Sequence, residues 1–489
     1  MTPLCDESAA DLRRLRDEVA ALRQDVARGA TTRLAQWSQT ASPCDRLENL
    51  AHYLALRSHD LGELQVRLSA YGLSSLGRSE ADVLLALDAL LTTLRRLSGE
   101  DGAYPPAAAR RMGEDALSRA CAAVFGEAGD RRRTRIMATL PREAAKDRHL
   151  VESLLQAGMD CARINCAHDD EPAWERMIEN VRTASQRLAR PCRILMDIAG
   201  PKLRVAQVRA PEKYRLRPGE RLRLVRRIES GRGPVSFSIN MPEVISQLRP
   251  GSEIAFDDGK AVGQVIAVEG ADGVELEIVA ARAKGLRLKQ DKGVNFPATD
   301  LNLGPLTAKD VADLPFVARH ADLVGLSFVQ RPEEVKLFQM QLAARRGEEP
   351  PQALVLKIET PLAVRNLPQL IAQAAATHPT AVMIARGDLA VEVGFARLSE
   401  MQEEIVWLCE AAHVPVIWAT QVLDQLVHEG VTSRAETTDA AMSQQADCVM
   451  LNKGDYLPEG VRFLRGILDR MERHHTKKFP WLARLRAWS

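Results

Sequence analysis

The chain has 489 residues, which at roughly 150 per domain predicts about three domains and a core that needs no disulfide or metal staple. Its 66 Lys and Arg against 65 Asp and Glu leave a formal charge of +1, which excludes a bulk basic field for nucleic acid or an anionic membrane. Any anionic ligand must then be met by a local cluster, and a composition of 46% hydrophobic, 27% charged and 4% aromatic residues excludes disorder and collagen-like repeats and speaks against base-stacking platforms.

Residues 1–130 predict a helical N-terminal extension. Leu12, Leu15, Val19, Leu22 and Val26 repeat at 3-4 spacing, and Val83, Leu87, Leu90, Leu94 and Leu97 form a second such stripe. Two seams of this kind could join another chain as a coiled coil, but they are short, and the expectation is a bundle packed on its own neighbour. The first residues, MTPLCDESAADLRRLRDE, carry acids and no apolar leader, and no uncharged run approaches the roughly 18 residues of a membrane span. The eight cysteines (5, 44, 121, 161, 166, 192, 409 and 448) show no zinc or redox spacing and read as reduced core residues, so a cytoplasmic protein without nucleic-acid or membrane partners is expected.

From Arg135 onward, short aliphatic runs alternate with helical stretches: RIMATL, CARIN, RILMD, LVGLSF, LVLKIE, AVMIAR, VPVIWAT and DCVMLN. Eight strand-helix units in series predict a (β/α)8 TIM barrel, an α/β fold. The third and fourth runs are too far apart for one crossover helix, and RLRLVRRI, PVSFSIN, SEIAFDDGKAVGQVIAV and GVELEIVAARA between them are β-rich and broken by Gly turns. The expected organisation is therefore barrel over 131–205, an inserted small β-barrel lid over 206–294, and barrel again over 295–489.

The polar residues of the barrel runs stand at their C-terminal ends, where barrel sites are built. Arg163 and Asn165 end the second run, Asp197 the third, and Lys357 and Glu359 the fifth, while Arg386 and Asp388 follow the sixth, with Gly387 between them to let backbone approach a ligand, and Thr420 closes the seventh. Residues at i and i+2 on a strand share a face, so Arg163 pairs with Asn165 and Lys357 with Glu359. Such a group suits a phosphorylated substrate held by a divalent metal, with Glu359 and Asp388 as hard oxygen ligands. It also suits a plain ion pair between Lys357 and Glu359 capping a barrel layer. A P-loop is excluded, since Gly259-Lys260-Ala261 lacks both spacing and hydroxyl, and no HExxH is present.

Ten segments in order, TRIMATLP, AGMDCARINCAH, RILMDIAGPKLRV, FDDGK, KGVNFP, LSFV, LKIE, MIARGDLAVEVG, PVIWATQVL and TSRAETTDAA, resemble the pyruvate kinase family over about residues 131 to 476. The resemblance implies a (β/α)8 barrel with an inserted lid, and transfer of phosphate from phosphoenolpyruvate to ADP to give pyruvate and ATP, with Mg2+ or Mn2+. It implies that Glu359 and Asp388 bind the metal and that Lys357 stabilises the transferring phosphoryl group. Arg163 and Thr420 would hold phosphoenolpyruvate, its carboxylate would meet backbone near Gly387 and Asp388, and Asn165, His168, Arg204 and Lys292 would face the nucleotide.

Departures from the family pattern accompany these matches. Asn165-Cys166-Ala167-His168 stands where the family has Asn-Phe-Ser-His, and Asp197-Ile198-Ala199-Gly200-Pro201-Lys202 where it has Asp-Thr-Lys-Gly-Pro-Glu. The monovalent-cation region of Asn165, Asp197 and Lys202 thus loses two hydroxyls and gains an ammonium, so K+ is expected not to be required. The segment Leu451-Asn452-Lys453-Gly454-Asp455-Tyr456 is shorter than the family's, and Ala390 replaces a glycine. The family's C-terminal regulatory domain has no counterpart here, so sugar-bisphosphate activation is not expected, and a homo-oligomer through the barrel is. Two other functions fit the same residues: a metal-dependent 2-oxo acid lyase or enolate enzyme, and a catalytically weakened phosphoenolpyruvate-binding regulatory protein.

Overall fold

The two leucine seams become the interior of one helical bundle. Its helices are α1 (Pro3–Trp37), α2 (Asp45–Leu56), α3 (Gly62–Ala70) and α4 (Val83–Leu97), and α5 (Met112–Phe125) follows them beneath the barrel. The computed structural model describes residues 3–37, 45–106, 108–109, 112–127, 132–229, 233–270, 272–297, 299–477 and 479–480. Leu15, Val19, Leu22 and Val26 on α1, and Val83, Leu87, Leu90 and Leu94 on α4, are all buried, as their 3-4 spacing on one helix face requires. The bundle core is continuous with the core of the domain that follows. Both seams are therefore covered within the chain over these residues, while Leu97 at the end of the second stays 52% exposed. At the junction Asn49 donates to the carbonyl oxygens of Glu80 (2.7 Å) and Ala411 (2.9 Å) and accepts from the Val83 N–H (2.9 Å).

All eight aliphatic runs are strands of one closed parallel barrel. Strands β1 (Arg135–Thr139), β2 (Cys161–Asn165) and β3 (Arg193–Asp197) come first. The chain then forms a second, seven-stranded sheet from β4 (Val205–Arg209), β5 (Arg221–Val225), β6 (Ser236–Ile239), β7 (Glu253–Phe256), β8 (Ala261–Val268), β9 (Gly273–Ala281) and β10 (Val294–Asn295). It returns through β11 (Leu323–Leu326), β12 (Ala353–Ile358), β13 (Thr380–Ala385), β14 (Val416–Ala419) and β15 (Cys448–Leu451), and the barrel closes in the order β1-β15-β14-β13-β12-β11-β3-β2. The second sheet has its own core around Phe237, Phe256, Val274 and Leu276, which makes it a lid with independent packing. Its first and last strands, β4 and β10, escape a periodicity reading because one is half-exposed and the other is two residues long.

The helices around the barrel are α6 (Arg148–Ala157), α7 (Glu171–Arg187), α8 (Ala308–His320), α9 (Pro332–Arg346), α10 (Pro361–Arg365), α11 (Leu367–Ala375), α12 (Arg386–Val393), α13 (Phe395–Ala411), α14 (Asp424–Glu429), α15 (Arg434–Met442) and α16 (Leu457–Met471). Asp147, Asp170 and Thr307 cap α6, α7 and α8 by accepting first-turn N–H groups. Three aspartates pin the barrel floor: Asp160, Asp322 and Asp447 accept from the N–H groups of Ile136, Ile194 and Val416 at 2.8, 2.8 and 2.9 Å. Val124 and Phe125 at the end of α5 join the innermost barrel core with Met137, Leu195, Val355 and Ile417. The extension is thus anchored at the end opposite the polar mouth. No helix among the described residues is long and apolar enough to cross a membrane, and the six described cysteines are free and buried, Cys5 and Cys44 lying outside the described side chains.

Candidate active site

The C-terminal ends of β2, β3 and β12 bring four charged side chains into one buried knot. Arg163 donates to Asp197 Oδ2 through Nε (3.0 Å) and Nη2 (2.5 Å), and to Thr139 Oγ1 through Nη1 (3.0 Å). Lys357 Nζ lies 3.3 Å from Asp197 Oδ2 and 3.5 Å from Glu359 Oε1, and donates to Ser327 Oγ at 2.7 Å. With Asp197 1% and Glu359 2% exposed, both carboxylates have lost their water and depend on these cations. The tight fit needs Gly325, where a Cβ would stand 2.6 Å from Asp197 Oδ1.

The protonation of the knot follows from its neighbours. Burial pushes the Asp197 carboxyl up, but Lys357 and Arg163 outweigh it and hold the group below its ordinary range. Burial likewise opposes the Lys357 charge, yet Asp197 and Glu359 keep the ammonium above its usual value. Glu359 goes the other way: burial, with Asp388 adding repulsion, raises its carboxyl despite Lys357 and the Phe328 N–H that donates to Oε2 at 2.6 Å. Ion pairing between Lys357 and Glu359 is real and coexists with a mouth-facing position, since both line the cleft described next.

Between the barrel mouth and the lid lies a cleft of about 820 Å³, within the range of small-ligand sites. Arg163, Asn165, His168, Lys202, Arg204, Lys357, Glu359, Asp388 and Thr420 all line it. Asp197 sits behind Arg163 and Lys357, and Gly387 joins through its N–H, which donates to Thr420 Oγ1 at 2.8 Å. Lys292 is not part of the lining; its Nζ lies 3.0 Å from Asp257 Oδ1 on the lid. Lys202 does not sit free beside Ile198, because its Nζ is 3.0 Å from Asp388 Oδ2. Burial, followed by the Lys453 and Arg204 charges, lowers the His168 pKa and favours a neutral ring.

Thr420 is held in a strained backbone. As a β-branched residue at φ +66°, followed by Gln421 at +54°, it is in the left-handed region that costs about 1–3 kcal/mol per residue. The restraint is Arg386, which donates to Ala419 O (3.0 Å) and Thr420 O (2.6 Å) and pairs with Asp439 at 2.5 Å. The Thr420 hydroxyl accepts from Gly387, so its own hydrogen remains available to a ligand.

Sequence reasoning missed several of these supports. Ser327 was visible inside LSFV, yet its bond to Lys357 depends on the neighbouring strand. Asn295 donates to Glu392 Oε1 (3.1 Å) and reaches Asp388 Oδ1 (3.5 Å), a link between lid and barrel that no linear spacing reveals. Burial pushes the Glu392 carboxyl up to about 7. Lys309, from the start of α8, also lines the cleft and donates to Cys166 O at 2.8 Å.

Glu359 and Asp388 fit a divalent cation by donor chemistry: they are oxygen donors on one cleft, and their mutual repulsion is what an added cation relieves. No group of three or more His, Cys, Asp or Glu among the described residues could hold a metal, so further positions would fall to substrate and water.

A family model described as the barrel domain of pyruvate kinase matches residues 131–460. A protein named pyruvate kinase from Agrobacterium vitis is 33% identical over 351 residues, covering 70% of this chain and 69% of that protein. One of the same name from Methylorubrum extorquens is 34% identical over 350 residues, with 70% and 69% covered. Another from Thermococcus litoralis is 32% identical over 366 residues, with 73% of each chain covered. The family match begins after the helical bundle.

Proposed function

The chain belongs to the pyruvate kinase family and is a phosphotransferase of that kind, and we propose that the cleft between barrel and lid moves a phosphoryl group from phosphoenolpyruvate to ADP. The observation that supports this most is the convergence of Lys357, Arg163, Glu359, Asp388 and Thr420 on one cleft at the barrel mouth. A lyase would leave Arg204 and the lid side of that cleft without a task, and a binding-only protein would not need the strained Thr420; neither reading is favoured.

Phosphoryl transfer asks the protein mainly for positioning and charge neutralisation. In this reading Lys357 and Arg163 face the phosphoryl oxygens, and Asp197 holds both cations in place from behind. Thr420 donates to the carboxylate end of phosphoenolpyruvate or to water beside it, and Arg386 fixes its backbone. His168, Arg204 and Asn165 flank the nucleotide on the lid side. Lys292 joins them only if its bond to Asp257 opens. Divalent-metal dependence goes with the family, and Mg2+ or Mn2+ bound at Glu359 and Asp388 supplies charge neutralisation to the transferring group. Proton delivery to the enolate runs through Thr420 and water. K+ is not required, because Lys202 brings a fixed positive charge to the cleft. The protein works in the cytoplasm, as a homo-oligomer through its barrel. Pyruvate release from phosphoenolpyruvate should depend on both ADP and divalent metal; release that needs no ADP would reject the assignment.

A further inference from the structure

Both chain crossings between barrel and lid end on the same carboxylate. The outgoing crossing carries Lys202, whose Nζ is 3.0 Å from Asp388 Oδ2, and the returning one carries Asn295, whose Nδ2 is 3.5 Å from Asp388 Oδ1. Asn295 is 6% exposed, and its amide also donates to Glu392 Oε1 at 3.1 Å. Asp388 and Glu392 are four residues apart on α12 and so share the face turned to β10. Gly259, in the β7–β8 turn, comes near the same region: a Cβ added there would lie 4.0 Å from Val391 of α12 and from Phe395 at the start of α13. The lid therefore rests on α12, the helix that carries the proposed metal ligand.

We propose that Asn295 is a positioning residue that couples the seating of the lid on α12 to the orientation of the Asp388 carboxylate, with Glu392 as its anchor. This rests on the reading of Asp388 as a metal ligand. The amide has two hydrogens and can give one to each carboxyl group, so the side chain bridges Asp388 and Glu392. When the lid is seated, Asp388 is held from both sides. When the lid lifts, β10 takes the amide with it, and Asp388 loses that donor.

Asn295→Leu removes the amide while keeping the volume, and Asn295→Gln restores a donor. The probe is Mn2+ alone, titrated into the full chain and read by the electron paramagnetic resonance of free Mn2+, a measurement independent of turnover. Asn295→Leu should weaken Mn2+ binding by about tenfold, with Asn295→Gln intermediate, and should raise the Mn2+ concentration for half-maximal rate by a similar factor while the KM for ADP moves less than about threefold. A circular-dichroism melt identifies misfolded protein, and Glu392→Gln, which still accepts the bond, should keep affinity within about threefold if Asn295→Leu does not fold. Mn2+ binding by Asn295→Leu equal to the parent, or loss in Glu392→Gln equal to that in Asn295→Leu, overturns the proposal. Failure of the phosphotransferase reading would show separately, as a parent protein that binds Mn2+ but forms no pyruvate from phosphoenolpyruvate and ADP.

Discussion

Lys202 Nζ lies 3.0 Å from Asp388 Oδ2, so an ammonium from the lid crossing is tied to the carboxylate proposed to hold the metal. A charge fixed to the chain neutralises the cleft at any salt composition and cannot dissociate. The expected outcome is an initial rate unchanged when tetramethylammonium replaces K+. A tenfold fall, about 1.4 kcal/mol in barrier, would show that a monovalent cation is needed after all.

Glu359→Gln and Asp388→Asn should each weaken Mn2+ binding by at least about tenfold, because each removes one of two anionic oxygen donors. Glu359→Gln should also leave folding largely intact, since the amide oxygen still accepts the Phe328 N–H. Direct Mn2+ titration checks both; parent-like affinity in either variant would remove that residue from the metal site.

Glu392 gives a pH signature. Its carboxyl is raised from 4.5 to about 7, chiefly by burial, so the native state favours the protonated form. The folded-state preference is fully present below about pH 4.5 and is lost as pH rises through about 7. In metal-free buffer Glu392→Gln should therefore raise stability at pH 8 by about 2 kcal/mol and change it little at pH 5. Melting curves at the two pH values test this; an equal shift at both would mean that Glu392 does not titrate with folding.

Asn49 ties the bundle to the barrel with four backbone partners, Glu80, Ala81, Ala411 and Val83. Asn49→Ala leaves buried polar groups unpaired and should cost about 2–3 kcal/mol. A denaturant midpoint equal to the parent's would show the bundle to be only loosely attached. Deleting residues 1–125 should yield aggregated protein, seen by light scattering, because it uncovers the barrel floor that Val124 and Phe125 close.

The fold was legible where burial is two-sided. All eight barrel strands are continuous aliphatic runs, and both helical seams repeat at the 3-4 spacing of one face. The cleft was legible as far as strand ends could carry it, which placed Arg163, Lys357, Glu359 and Thr420 on one mouth. The links that cross elements were not legible. Asn295 with Glu392, Lys202 with Asp388, and Arg386 with Asp439 join residues far apart in the chain, and their meeting is set by how the lid sits on α12 and by where α15 carries Asp439. Lys292 shows the same limit from the other side, since a lysine that the resemblance turns toward the nucleotide is paired with Asp257 instead.

The most direct measurement of phosphoryl transfer at this cleft is ATP and pyruvate formation from phosphoenolpyruvate and ADP with Mn2+, in the parent chain and in Lys357→Met. Lys357 Nζ is held between Asp197 and Glu359, and the proposed mechanism has it meet the charge that develops on the transferring group. The expected result is equal amounts of ATP and pyruvate from the parent, and a turnover about a hundredfold lower in Lys357→Met, about 2.7 kcal/mol, with Mn2+ affinity retained. Parent-like turnover in Lys357→Met, with the variant folded, would contradict it and leave Lys357 as the centre of an ion pair and nothing more.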